Sequence, residues 1–293
     1  MSGRRRSGER RSSALGSGDD AHSGDDTGQA EPNGDVGTTE GTEPNGDERS
    51  QRTARSRDDH RPPAAIECEE LTKSYGEVDA LFEVDLEVRP GQAVVLVGHN
   101  GSGKSTLLNL VAGTLEATDG YVAVNGNEPD SIPARAERSW LPDNPVLYDD
   151  LTVEEHLWYI SRLHDPGGTR SDRGGDAEAR NEELIERLGL SERRSDLPSQ
   201  FSRGLRQKTA IAVALCRPFS VLLVDEPFVG LDASGRRTML ELLAEANDDG
   251  ATVLVATHDP DVIERFERGL MMSNGELVHD GAADDLPGLL AAD

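Results

Sequence analysis

Nine consecutive residues, 98–106, read G-H-N-G-S-G-K-S-T. Those types at that spacing can hold a phosphate chain. Gly98, Gly101 and Gly103 let the backbone curl tightly. His99, Asn100 and Ser102 fill the positions between them, so several N–H groups converge on one point where an anion can sit. Lys104 adds a point charge for the outer phosphates, Ser105 offers a hydroxyl to Mg²⁺, and Thr106 backs the loop. The pattern is G-x-x-x-x-G-K-[ST] between an apolar run at 93–97 and a helix-like run at 105–112, the setting that such a loop requires. The chemistry implied is nucleoside triphosphate binding.

A second constellation is V-L-L-V-D-E-P at 221–227. A buried strand ends there in two carboxylates, at the edge where phosphate would lie. Asp225 suits the shell of a Mg²⁺ ion as the acidic partner of Ser105. Glu226 lies one residue on, points elsewhere, and can polarise a water for attack on the γ-phosphate. A general base of this kind contributes typically ~10²–10⁴-fold in rate.

The elements that must position these groups follow from periodicity. Residues 65–71 and 82–88 read as strands, with a turn at 73–76 between them. Leu81, Val84, Leu86 and Val88 alternate as in a half-buried strand. Further strands are predicted at 120–124, 140–142, 221–224 and 252–256, and a hairpin at 270–279 around Asn274-Gly275. Helices are predicted at 151–163 with Thr152 as N-cap, at 177–188, at 204–216, at 234–246 with Met239, Leu240, Leu242 and Leu243 inward, and at 261–266. Nearly all-apolar strands alternating with helices predict an α/β fold, with a mostly parallel sheet flanked by helices. Antiparallel strands near the start form a β subdomain, and an inserted α-helical subdomain covers about 144–215. The Gly- and Asp-rich stretch 165–176 is expected to be a mobile loop.

Residues 1–63 stand apart. They are rich in Gly, Ser, Asp, Arg and Thr, and E-P-N-G-D recurs at 31–35 and 43–47. Such a stretch cannot bury enough apolar area to offset ordering entropy, so it is expected to be a disordered tail. Its Arg clusters at 4–11 and 49–61 leave a docking role open. The folded domain is then 64–293.

Net charge is −26 over 293 residues. The tail's ten basic and thirteen acidic residues account for −3, so −23 falls on residues 64–293. Only three of the 30 basic residues are lysine: Lys73, Lys104 and Lys208. A surface this acidic is similar to those of proteins from salt-loving cytoplasms and points to a halophilic archaeon. Molar salt screens carboxylate repulsion within about 3 Å, so the fold is expected to need salt. Full stability in dilute buffer would contradict that. The charge also argues against nucleic acid as a partner. No apolar run approaches the ~18 residues that cross a bilayer, and no secretory leader follows Arg4–Arg6. A cytoplasmic protein is expected. Cys68 and Cys216 lack metal-ligand spacing and read as reduced structural thiols.

In combination, these motifs resemble one family over roughly residues 66–282: the ATP-binding cassette (ABC) ATPases. The resemblance implies ATP and Mg²⁺ as cofactors. It implies that Tyr75 stacks on adenine, that His258 in T-H-D contacts the γ-phosphate, and that Asp232 in G-L-D lies on a loop crossing between subunits. F-S-R-G-L-R-Q at 201–207 stands where the family has L-S-G-G-Q. Ser202 and Gly204 are kept; Arg203 replaces a glycine. A serine hydroxyl and N–H groups at a helix start form an anion site, and the resemblance aims that site at the ATP held by a second ATPase subunit. The variant resembles ABC-2 type exporters. Asp143 in W-L-P-D stands where the family usually has glutamine, and it too is a candidate Mg²⁺ ligand. The helical insert is expected to receive an integral-membrane permease, with Trp158 and Tyr159 as candidates for its groove. The function implied is ATP hydrolysis that powers export through that permease, from the inner face of the membrane, by a homodimer or a pair of paralogues. Two alternatives stand beside it. A soluble mechanochemical ATPase would carry coiled-coil inserts, tandem cassettes or a basic surface; a non-hydrolysing regulator would fail an ATPase assay.

Overall fold

The structure, a computed structural model, describes residues 63–164 and 177–291. Most of the expected tail (1–62) and the expected loop 165–176 lie outside the described residues. Two sheets form. The smaller is antiparallel: β1 (Ile66–Tyr75) lies between β2 (Val78–Val88) and β4 (Asp119–Val124). The larger has six strands. β3 (Ala93–Val97), β6 (Val221–Asp225) and β7 (Thr252–Ala256) are buried almost residue by residue, as strands covered on both faces must be. With β5 (Arg138–Leu141), β8 (Arg268–Ser273) and β9 (Glu276–Ala282) they take the order β5-β6-β7-β3-β8-β9. All neighbours pair in parallel except β8 with β9.

The turn predicted at 73–76 is shorter than expected. Strand β1 continues to Tyr75, and Ser74 and Tyr75 pair with Asp79 and Val78. A register shift between Lys73 and Ser74 lets the ladder continue, and only Gly76 and Glu77 turn. Gly76 takes φ 65° there, a value that suits a residue without Cβ.

One core lies between the two sheets, around α1 (Lys104–Val111), with Leu71, Leu81, Leu96 and Leu107 fully buried. A second joins the other face of the large sheet to α3 (Val153–His164), α4 (Ala177–Arg187), α5 (Arg203–Leu215) and α6 (Ala233–Asp248). Met239, Leu242 and Leu243 of α6 are buried, whereas Leu240 is half-buried against the same core. Helix α3 begins as expected at Thr152. Its Oγ1 accepts from Glu155 N–H at 3.3 Å, while Glu155 Oε2 accepts from Thr152 N–H at 2.8 Å. Two orphan N–H groups are satisfied reciprocally in this way. Short helices α2 (Ile132–Glu137), α7 (Pro260–Ile263) and α8 (Leu286–Leu290) are the remaining α-helices among the described residues. None of the described helices is long and apolar enough to cross a membrane.

Candidate nucleotide site

Four neighbouring parallel strands deliver their carboxyl ends to one edge of the large sheet. The glycine-rich loop follows β3, Asp225 ends β6 and Glu226 follows it, His258 follows β7, and Asp143 follows β5. Ligands of open parallel sheets bind beyond such ends.

The loop is built by close approach. Gly98 has φ 150°, and a Cβ there would stand 2.2 Å from Met272 O and 2.5 Å from Ser102 Oγ. Ser102 is fully buried and Ser102 O accepts from Gly275 N–H at 3.0 Å, which ties the loop to the β8–β9 hairpin. Gly103 caps α1 in the left-handed region, no side chain caps this end, and the first turn carries no acidic residue. The helix start therefore keeps its positive end for an anion. Lys104, only 7% exposed, donates from Nζ to Gly98 O at 2.7 Å and His99 O at 3.1 Å. Burial lowers its pKa, while Glu226 and Asp225 act to raise it. His99, Asn100, Gly101 and Ser105 are exposed along the rim, and Thr106 is half-buried.

Asp225 is 3% exposed and its Oδ1 has no hydrogen-bond partner. Burial pushes its pKa up. A hydrogen bond with Ser105 opposes that rise, Glu226 and Asp143 add to it, and Lys104 lowers it. A buried, half-satisfied carboxyl beside a hydroxyl and a second acidic side chain is a donor set suited to a small hard cation. The residues present therefore fit Mg²⁺, with Ser105, Asp225 and the exposed Asp143 as oxygen donors.

Glu226 takes φ 47°, so its side chain leaves the direction of Asp225. Its backbone N–H is fixed to Ala256 O at 2.9 Å, and its Oε1 lies 2.9 Å from His258 Nδ1. A carboxylate only accepts, so Nδ1 carries the proton. Tyr75 is 55% exposed at the tip of the β1–β2 hairpin, with Lys73 Nζ 5.3 Å from its ring centre. The same hairpin presses Ala80 and Leu81 against Gly103.

The candidate signature sits at the start of α5. Ser202 Oγ accepts from Leu205 N–H at 3.3 Å. Gly204 has a packing duty that its spacing does not reveal: a Cβ there would stand 2.6 Å from Gly230 O. The Arg203 stem lies over the same Gly230. Asp232 caps α6 through Gly235 N–H at 2.8 Å and pairs with Lys208 of α5 at 3.3 Å. The signature helix and the G-L-D loop are thus bound to each other. The sequence singles out Lys208 by its rarity and Gln207 by its place two residues past Leu205, which stands where the family has glutamine, but assigns neither a partner; Gln207 donates to Pro227 O at 3.1 Å. Arg236, which pairs with Asp259, carried no signal in the sequence.

Residues 81–229 match the family described as ABC transporter. The chain is 33% identical over 218 residues to the macrolide export ATP-binding/permease protein MacB of Bradyrhizobium diazoefficiens, covering 74% of this chain and 33% of MacB. It is 31% identical over 224 residues to the ABC-type transporter ATP-binding protein EcsA of Bacillus subtilis, covering 75% of this chain and 88% of EcsA. It spans less than half of several relatives, and only 12% of ATP-binding cassette sub-family A member 17 of Rattus norvegicus. Among solved structures, an ATP-binding subunit of an ABC transporter aligns with TM-score 0.68 and 32% identity over 78% of this chain and 93% of its own. A dimeric ATP-binding cassette in a post-hydrolysis state bound to ADP and Pi aligns with TM-score 0.67 and 28% identity, over 74% of this chain and 98% of its own.

Proposed function

Starting from the fact that this chain belongs to the ABC transporter family, we propose that it is the ATP-hydrolysing subunit of an exporter, acting on a separate membrane permease. One observation carries the reading: Lys104, the Ser105–Asp225 pair and the Glu226–His258 pair stand at one edge of four parallel strands. In this reading the loop N–H groups and Lys104 hold the β- and γ-phosphates, and Tyr75 stacks on adenine. Ser105, Asp225 and Asp143 would hold Mg²⁺, which would neutralise charge on the phosphate oxygens. Glu226 takes a proton from water as the water oxygen bonds to the γ-phosphorus. The bond to the β–γ bridging oxygen breaks, leaving ADP and inorganic phosphate. His258, held by Glu226 through Nδ1, presents its other nitrogen to the γ-phosphate.

Two copies complete the site, head to tail, with Ser202, Arg203 and Gly204 of each reaching the nucleotide on the other. The relative solved as a dimer with ADP and Pi supports this arrangement by analogy. ATP favours the closed pair and hydrolysis releases it, so the difference in affinity between the two forms is the drive. The permease docks on the helical subdomain. A cleft of about 500 Å³ opens there between β5, α3 and α5, and Trp158 and Tyr159 are 56% and 42% exposed on α3. A subunit docked there would lie at the inner face of the membrane. Phosphate release from Mg²⁺-ATP in molar KCl tests the reading, with Lys104→Ala as the control that loses nucleotide. A chain that binds ATP yet releases no phosphate would instead support the regulator.

A further inference from the structure

Resting on the hydrolytic reading above, we propose that Arg236 is a positioning residue for hydrolysis, holding the Glu226 and His258 segments in register through one guanidinium. Arg236 lies in the first turn of α6, directly after the G-L-D loop. It contacts two places at once. Nη2 pairs with Asp259 Oδ2, and the guanidinium carbon lies 5.4 Å from the centre of the Phe228 ring. Phe228 is buried two residues beyond Glu226, and Asp259 is the residue after His258.

The need for such a brace is visible around His258. Its side chain is 73% exposed and is held through Nδ1 to Glu226. Its position therefore depends on the backbone either side of it. On one side Thr257 is fully buried and its N–H is tied to Leu96 O of β3 at 3.1 Å. On the other, Asp259 Oδ1 accepts from Asp261 N–H at 3.1 Å, which caps α7, and Oδ2 is left for Arg236. Without Arg236, Asp259 is anchored only to its own short helix and to Thr257 Oγ1. The pair is 35% and 20% exposed at its side chains, and ion pairs this open add little to fold stability. Its geometric effect is the larger one, because small displacements of reacting groups carry large rate penalties. The same guanidinium also connects the G-L-D loop to the two hydrolytic residues through the first turn of α6.

The test is steady-state ATP hydrolysis by the full chain carrying Arg236→Met, Asp259→Asn, or both. Methionine keeps an apolar stem against Phe228, and asparagine keeps the oxygen that caps α7. The expected result is a fall in kcat of about tenfold to a hundredfold in each single variant, with KM for ATP within about twofold, since Lys104 and the loop are untouched. The double variant should lose no more than the worse single one, because both remove one interaction. Arg236→Lys should recover part of the rate. Wild-type kcat in both single variants, or losses that multiply in the double, would overturn the inference. Should Arg236→Met lower the melting temperature markedly, Asp259→Asn alone decides by the same kcat reading. Failure of the hydrolytic reading itself looks different: the unmodified chain then releases no phosphate.

Discussion

Glu226 Oε1 lies 2.9 Å from His258 Nδ1, and Glu226 reaches that contact from a left-handed backbone at φ 47°. That conformation costs an ordinary residue about 1–2 kcal/mol. The bond from Glu226 N–H to Ala256 O at 2.9 Å holds it in place. The twist separates two adjacent carboxylates, so that Asp225 faces Ser105 while Glu226 faces His258.

Replacing Glu226 by glutamine keeps the shape and removes the proposed base. Phosphate release should fall about 10²–10⁴-fold, while ATP still binds. Light scattering with Mg²⁺-ATP should then show dimers accumulating. A variant turning over at the normal rate would remove Glu226 from the chemistry.

Asp225→Asn tests the cation site through stability. Burial raises the Asp225 pKa, so the folded chain keeps this proton to higher pH than the unfolded chain does. Its contribution therefore falls as pH rises from the ordinary value of 3.8 through the raised one. At neutral pH this buried carboxyl weighs against the fold, and asparagine should hold or raise the melting temperature without ligand. Ligand at a hundredfold excess over its Kd stabilises by about 2.7 kcal/mol. The Mg²⁺-dependent part of that gain should vanish in the variant. Thermal scans with ATP, with and without Mg²⁺, give both readings.

His164 gives the fold an acid-sensitive point. Its Nε2 faces Arg217 Nη1 at 3.1 Å, and burial and Arg217 push its pKa down from 6.5 to about 4. The unfolded chain binds this proton first. Stability from this group is complete above pH 6.5 and is lost as pH falls toward about 4. By pH 5 the loss is below about 2 kcal/mol, because solvent screens this half-buried site. His164→Gln keeps an acceptor for Arg217 without the titration. Denaturant midpoints at pH 7.5 and 5 should differ less in the variant than in the parent; an equal difference would contradict the assignment.

Gly204→Ala probes the contact between the signature helix and the G-L-D loop. The new Cβ would stand 2.6 Å from Gly230 O, and forcing atoms into such a contact typically costs ~1–3 kcal/mol. Melting temperature and kcat should fall together, because the displaced loop carries Asp232 and leads into Arg236. Gly288→Ala is the contrast. A Cβ there meets nothing within 4 Å, so stability should hold or rise by roughly 0.5 kcal/mol.

The local groups were legible from residue order alone. G-H-N-G-S-G-K-S-T between an apolar strand and a helix specifies a phosphate loop, because each position answers a need of backbone or charge within nine residues. V-L-L-V-D-E-P likewise announces a buried strand ending in two carboxylates, and the alternation of apolar strands with helices fixed the mostly parallel sheet. What sequence could not determine was every relationship across the sheet. The Arg236–Asp259 pair joins residues 23 apart in sequence, a separation at which spacing carries no signal. Gly204 read as part of an anion site, and only packing against Gly230 O revealed why a side chain is excluded there. The direction of Glu226 was set by a single backbone dihedral and a bond to the neighbouring strand. Residue types determine which chemistry is available; strand order and helix packing decide which groups meet, because those distances arise only once the layers close on one another.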